Sequence, residues 1–187
     1  MKPKPEVSQL PREALSGVMQ AAFDRATSLR GDATFIQVMG HTPELMEWYG
    51  EFYQKVFYSG RVSVRIKELI RLRLSTVHGC AFCNRGNRLD AQASGLTNEQ
   101  IEAIGDEHST LWAADERAAL TLASRIALTN PRGVLDAQLY QELKKSFDDA
   151  QIVELGITMG VLTGMAKFLF VYDLVEKEKY CEFGASL

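Results

Sequence analysis

The chain is poor in the residues that staple or interrupt a fold. Three cysteines among 187 residues are an odd set that cannot pair fully, so no disulfide framework is expected. A close cysteine pair in such a chain points to catalysis, redox chemistry or metal binding instead. Charge of one sign is lacking too. The 21 basic and 24 acidic residues are interspersed, giving a formal net charge of -3. No basic stripe is present, and no nucleic-acid partner is expected. Met1-Lys2-Pro3-Lys4-Pro5-Glu6 has no apolar run behind it that could act as a secretory leader, so a cytoplasmic protein is expected. The longest apolar stretch, Ile152 to Val175, is broken by Glu154, Lys167 and Asp173. It reads as a buried helix rather than a membrane span, and no membrane partner is expected. There is no Gly-x-Gly-x-x-Gly and no phosphate loop, so no cofactor is expected. The histidines His41, His78 and His108 are not spaced as metal ligands with any cysteine, and no metal is expected either.

What is present is helical period. No stretch alternates apolar and polar residues long enough to form a strand, which makes this an all-α chain. An apolar content of 46% over 187 residues suffices for one domain spanning 1–187, with a core at about 43–176 and an N-terminal helical extension at 1–42. Punctuation predicts a helix from Pro11 to Gly31, a short element from Thr34 to Gly40, and an aromatic-rich helix from Pro43 to Gly60 that reads first as core and second as a substrate-binding wall. Ser63 caps a helix ending at His78-Gly79, and another runs from Cys80 to Ser94-Gly95. Thr97 with Gln100 opens a short helix to Ile104, and Asp115 opens one through Leu128. Leu135 to Phe147 follows, and Asp148 with Gln151 opens a last, long helix towards Glu178. On the Ser63 helix, Ile66, Leu69, Ile70, Leu74 and Val77 form an apolar face, with Arg65, Lys67, Arg71 and Arg73 opposite.

The chemistry gathers between Glu68 and Asn87. Cys80, Cys83 and Asn87 stand at i, i+3 and i+7 on one helical face, with both sulfurs in the first turn, where free backbone N–H groups favour a thiolate. Glu68 lies twelve residues before Cys80, about 18 Å away along one unbroken helix. A hairpin at His78-Gly79 would instead bring it level with residues 87 to 89. From spacing alone, Glu68 reads equally as an acid-base partner of Cys83 or as an ion-pair partner of Arg71 or Arg65. His78 reads first as a capping or exposed histidine and second as a cation beside Cys80. Cys181 reads as a spare thiol.

Glu68, eleven residues, Cys80-x-x-Cys83, a further helix ended by Gly95 with Leu96-Thr97, and Glu116-Arg117-Ala118-Ala119-Leu120 together resemble the AhpD-like alkylhydroperoxidases of the carboxymuconolactone decarboxylase superfamily. The resemblance covers roughly Pro43 to Glu176. It implies an AhpD-like helical bundle, a thiol-dependent peroxidase with antioxidant activity, and a homo-oligomer, a trimer or hexamer. The implied partners are a hydroperoxide or other small-molecule substrate and a thiol or dithiol electron-donor protein. It further implies that Cys83 attacks the peroxide, that Cys80 is the more exposed, resolving thiol, and that Glu68 ends a proton relay. The sequence departs from the family where its relay histidine is replaced by Asn87. The alternative is therefore a non-peroxidase decarboxylase-like protein or a redox-sensing module. The spacing of Glu154, Ala166, Leu169 and Asp173 matches that of Glu68, Cys80, Cys83 and Asn87, as a duplicated helical hairpin would.

Overall fold

Apolar periodicity and capping residues resolve the chain into helices whose order is α1 (Gly17–Arg30), α2 (Thr34–Met39), α3 (Pro43–Phe52), α4 (Val64–Val77), α5 (Ala81–Ala93), α6 (Asn98–Glu102), α7 (Ala114–Ile126), α8 (Ala137–Lys144) and α9 (Asp149–Val171). This computed structural model describes residues 2–183, and no strand occurs among them. Side-chain caps fix several starts. Ser63 accepts the Ile66 amide, Asp136 the Leu139 amide and Asp148 the Gln151 amide. Thr97 and Gln100 close a reciprocal capping box.

Several boundaries differ from the sequence expectation: α7 is capped by Ala113 rather than Asp115 and ends at Ile126, and three others shift more. The first long helix is capped by Ser16 rather than opened by Pro11, which precedes only a single 3-10 turn. The aromatic helix does not run on to Gly60. After Phe52 it loosens into a π-turn, Tyr53–Phe57, that rotates its rings relative to α3. α9 stops at Val171, Asp173 takes φ 52°, and the chain folds back as a strap over the α4–α5 turn.

α4 lies at the centre, against α5, α7 and α9. Leu69, Ile70 and Leu72 are fully buried in a cluster with Leu120, Leu143, Leu155 and Met159. A second cluster joins Met19, Phe35, Ile36 and Met39 of the N-terminal helices to Leu174. Because neighbours surround α4, its supposedly polar face is buried as well: Lys67, Glu68, Arg71 and Arg73 all lie inside. Long cations tolerate this only when paired. Lys67 reaches Glu154 and the Val56 carbonyl, each at 2.6 Å. Arg73 reaches the carbonyls of Ile104 and Gly105 and the Glu107 carboxylate.

α9 is apolar on every side and long enough to cross a membrane by length and composition, but a third of its most apolar window is buried against the rest of the protein. The buried-helix expectation therefore holds for one side only. Val153, Ile157, Gly160, Gly164, Lys167 and Val171 form an open stripe at alternating spacings of four and three. Glu154, Ala166 and Leu169 fall on this one unbroken helix, with no counterpart of the turn at Gly79. Glu154 nevertheless mirrors Glu68 in pairing with a cation of α4.

The Lys67–Glu154 pair gives a direct stability test. Glu154 also accepts the amides of Arg61 and Val62, at 2.8 and 3.0 Å, so it ties the loop before α4 to α9. Lys67→Met is expected to cost about 3 kcal/mol in chemical denaturation, because it strands a buried carboxylate. Lys67→Met combined with Glu154→Leu is expected to recover part of that loss. A double variant no more stable than the single one would refute this reading.

Candidate functional site

The α4–α5 reversal depends on Gly79, whose φ of 71° lies in the region that a side chain disfavours. A Cβ there would also press on Cys181, at 2.7 Å from its Cβ and 2.8 Å from its Cα. Ser75 accepts the Cys80 amide at 3.0 Å, and Cys80 becomes the N-cap of α5, its sulfur accepting the Cys83 amide at 3.2 Å. The two cysteines are joined in a disulfide, with their Cα atoms 5.2 Å apart.

Their exposure is the reverse of what the family resemblance implied. Cys80 is 1% exposed, while Cys83 is only partly buried. The strap after α9 is the cause. The Phe82 amide donates to the Glu176 carbonyl at 3.2 Å, and the Glu178 amide donates to the Gly79 carbonyl at 2.8 Å. Phe170 and Val175 complete the apolar cover over Cys80 and Phe82.

Both cysteines line a cavity of about 300 Å³. Leu162, Met165 and Leu169 of α9 and Phe35 and Ile36 of α2 supply apolar wall. Met46, Tyr49 and Tyr53 of the aromatic segment line it too, so part of that segment is cavity wall, the second of its two sequence readings. The two tyrosine hydroxyls lie 3.3 Å apart. Burial pushes the Tyr49 phenol well above its usual range, and neighbouring Tyr53 adds to the effect, so its hydroxyl stays protonated.

Glu68 does not reach the sulfurs. It is 2% exposed and pairs with Arg71, Oε2 to Nη2 at 2.5 Å, while the same guanidinium nitrogen contacts Asp90 on α5 at 2.7 Å. Of the two readings that spacing allows, the ion pair with Arg71 is the one formed, and it is internal. The Arg71 guanidinium lies over Phe57 and Tyr53, with ring centroids at 5.1 and 5.9 Å. Burial raises the Glu68 carboxyl above the usual carboxylate range, and the Asp90 charge adds to this against the opposing pull of Arg71.

Asn87 is buried, and its amide donates to the Ser75 hydroxyl at 3.0 Å, which donates in turn to the Leu72 carbonyl at 3.1 Å. Ser75 thus ties Asn87 to α4, whereas Glu68 is held by Arg71. The sequence reading did not single Ser75 out, although it stands seven residues after Glu68 on the same helical face.

His78 is neither exposed nor a cation. It is 1% exposed, and its Nε2 accepts the Leu128 amide at 3.0 Å, which fixes the neutral tautomer with the proton on Nδ1. Burial lowers its pKa to about 4. Cys181 is not idle packing, since its thiol donates to the His78 carbonyl at 3.1 Å. No group of three or more His, Cys, Asp or Glu side chains able to hold a metal is found among the described residues.

This hairpin, with its acid on the first helix and a dithiol opening the second, lies within residues 43–125, which match the carboxymuconolactone decarboxylase family. That match covers less than half of the chain, whose fold is AhpD-like. An uncharacterized protein of Bacillus subtilis strain 168, YdfG, is 33% identical over 90 residues, covering 48% of this chain and 60% of YdfG. The match thus spans less than two thirds of that relative. The debrominase Bmp8, solved without ligand, superposes with a TM-score of 0.74 at 18% identity over 94% of each chain. An alanine-for-cysteine variant of Bmp8 has been solved with 2,3,4-tribromopyrrole. A peroxidase-related protein of Silicibacter sp. TM1040 superposes with a TM-score of 0.73 at 17% identity over 99% of each chain. At these identities the structural likenesses show a shared AhpD-like fold.

The neutral state of His78 has a measurable consequence. Its folded pKa lies below that of the unfolded chain, so the unfolded state binds the extra proton first. The stability it contributes is present above the unfolded value of 6.5 and is lost as pH falls towards 4, by up to roughly 3 kcal/mol. His78→Gln is expected to flatten the fall in denaturation free energy between pH 6.5 and 4. An unchanged slope in that variant would show that His78 does not carry it.

Proposed function

We propose that this AhpD-like domain is a dithiol oxidoreductase that reduces hydroperoxides. The observation that supports the reading is the Cys80–Cys83 pair at the start of α5, with Cys83 opening on a mostly apolar cavity. In the reduced protein the Cys83 thiolate attacks the terminal peroxide oxygen. The O–O bond breaks, the sulfur becomes a sulfenic acid, and the alkoxide leaves as an alcohol after taking a proton. The Cys80 thiol then attacks the sulfenic sulfur, the disulfide forms and water is released. The partly exposed cysteine suits the attacking role and the buried one the resolving role. Glu68, with its raised affinity for a proton, is the nearest buried acid on α4, and Ser75 and Asn87 occupy the interval between it and the sulfurs. A dithiol protein of a reducing compartment such as the cytoplasm supplies the two electrons that reopen the disulfide. Further copies of the chain cover the open α9 stripe.

The debrominase fold relatives and the flat aromatic walls favour a second reading, in which the same two electrons replace a carbon-bound halogen by hydrogen and halide leaves. Reduced protein assayed with an alkyl hydroperoxide and dithiothreitol, and separately with a brominated aromatic, distinguishes the two. Peroxide turnover is expected. Cys83→Ser should lower it at least about 100-fold, and Cys80→Ser, given one equivalent of peroxide without dithiothreitol, should stop at the Cys83 sulfenic acid instead of the disulfide. Bromide release without peroxide turnover would select the second reading. Full turnover by Cys83→Ser, or thiols that stay reduced with both substrates, would overturn a dithiol enzyme.

A further inference from the structure

Arg30 ends α1 and lies outside the segment that matches the family, yet it reaches the dithiol. Its guanidinium stands 5.1 Å from the centroid of the Phe82 ring, and its Nη1 donates to the carbonyls of Phe82 and Cys83 at 3.3 and 3.4 Å. The surface of α5 is shaped for it. Gly86 is one turn after Cys83 on the same face, and a Cβ there would overlap the Cζ and Nη2 atoms of Arg30. Arg30 lines the cavity that Cys83 lines.

Among the described residues no carboxylate lies within ion-pair distance of Arg30, whereas its cavity neighbour Arg71 contacts two. A largely buried cation without a counter-ion is costly, and here an anion would form within a helical turn of it whenever the disulfide opens. The helix N-terminus already serves the Cys80 sulfur, which accepts the Cys83 amide. Cys83, three residues further in, gains less from that end of the helix.

We propose that Arg30 is the positioning cation of the dithiol, holding reduced Cys83 as a thiolate in the family member that lacks the relay histidine. The inference rests on the dithiol reading given above. Charged and titratable groups from every neighbouring element bear on Cys83. These are Arg25 and Arg30 of α1, Tyr49 of α3 and Tyr53 of the π-turn, then Glu68, Arg71 and His78 of α4 and its cap. Asp90 and Arg85 of α5, Lys167 of α9, and Glu176, Glu178 and Cys181 of the strap complete the set. Glu68 and Asp90 are both engaged by Arg71. The Arg85–Glu176 pair at 2.8 Å is internally neutral. Arg25 and Lys167 also pair with no carboxylate among the described residues, but both are exposed, whereas Arg30 is largely enclosed and donates to the Cys83 carbonyl.

The test is the pH dependence of iodoacetamide alkylation of the full chain carrying Cys80→Ser, followed peptide by peptide by mass spectrometry so that Cys83 and Cys181 are read separately. Arg30→Gln is expected to raise the Cys83 thiol pKa by about one unit or more, leaving the Cys181 profile in place. Arg30→Lys should fall between the two. Gly86→Ala, which displaces Arg30 while favouring the helix, should reproduce the Gln effect in a folded protein. A Cys83 profile unmoved by both Arg30→Gln and Gly86→Ala would overturn the proposal. The readout needs no substrate, so a protein that fails to turn over peroxide but shows these shifts would refute the enzyme assignment and leave the role of Arg30 standing.

Discussion

The protein is organised by the burial of charge along α4. A helix enclosed by neighbours must satisfy every ion it carries, and Lys67, Glu68, Arg71 and Arg73 are all inside. Each partner they take is an instruction about tertiary structure. Lys67 takes Glu154 and so fixes α9 and the loop after the π-turn. Arg73 takes two carbonyls beyond α6 and the Glu107 carboxylate. Arg71 draws Asp90 of α5 and two aromatic rings around itself. Apolar burial supplies most of the driving force, but it is indifferent to register, and these pairs are not.

The same pairs position the candidate site. Arg71 clamps the two arms of the hairpin one to two turns below the disulfide, while Gly79 and the Cys80 cap set its upper end. Between them the Asn87–Ser75 bond bridges α5 to α4, so the Cys83 face of α5 is held towards the cavity. Asn87 cannot shuttle a proton, but it can hold this geometry. Arg30 adds from α1 a charge that the hairpin itself does not provide.

Much of this was legible in the sequence, and the misses share a cause. Capping residues named the helices, because a cap is read within three or four positions, as at Ser63, Thr97 and Asp148. Cys80-x-x-Cys83 and Glu68 stood out because their spacing is local. Exposure was not legible: Arg71 and Lys67 read as a solvated face, and only the elements packed round α4 decide otherwise. His78 does cap α4, but nothing local showed that its ring would be buried and accept the Leu128 amide, fifty residues on. The relative burial of Cys80 and Cys83 was reversed for the same reason, since the strap that covers Cys80 comes from beyond α9. Arg30 gave no local signal at all.

The strap also gives the disulfide a direction. Exchange with an external thiolate requires the nucleophile to arrive in line with the sulfur–sulfur bond, opposite the sulfur that departs. With Cys80 sealed beneath Phe170 and Val175, that approach is open at the sulfur of Cys83, and Cys80 is the leaving group. On the proposed dithiol reading, a reducing thiolate forms its mixed disulfide with Cys83, while the helix N-terminus receives the charge released on Cys80. On that reading oxidant and reductant meet the pair on the same side, at Cys83, and the strap after α9 closes the other.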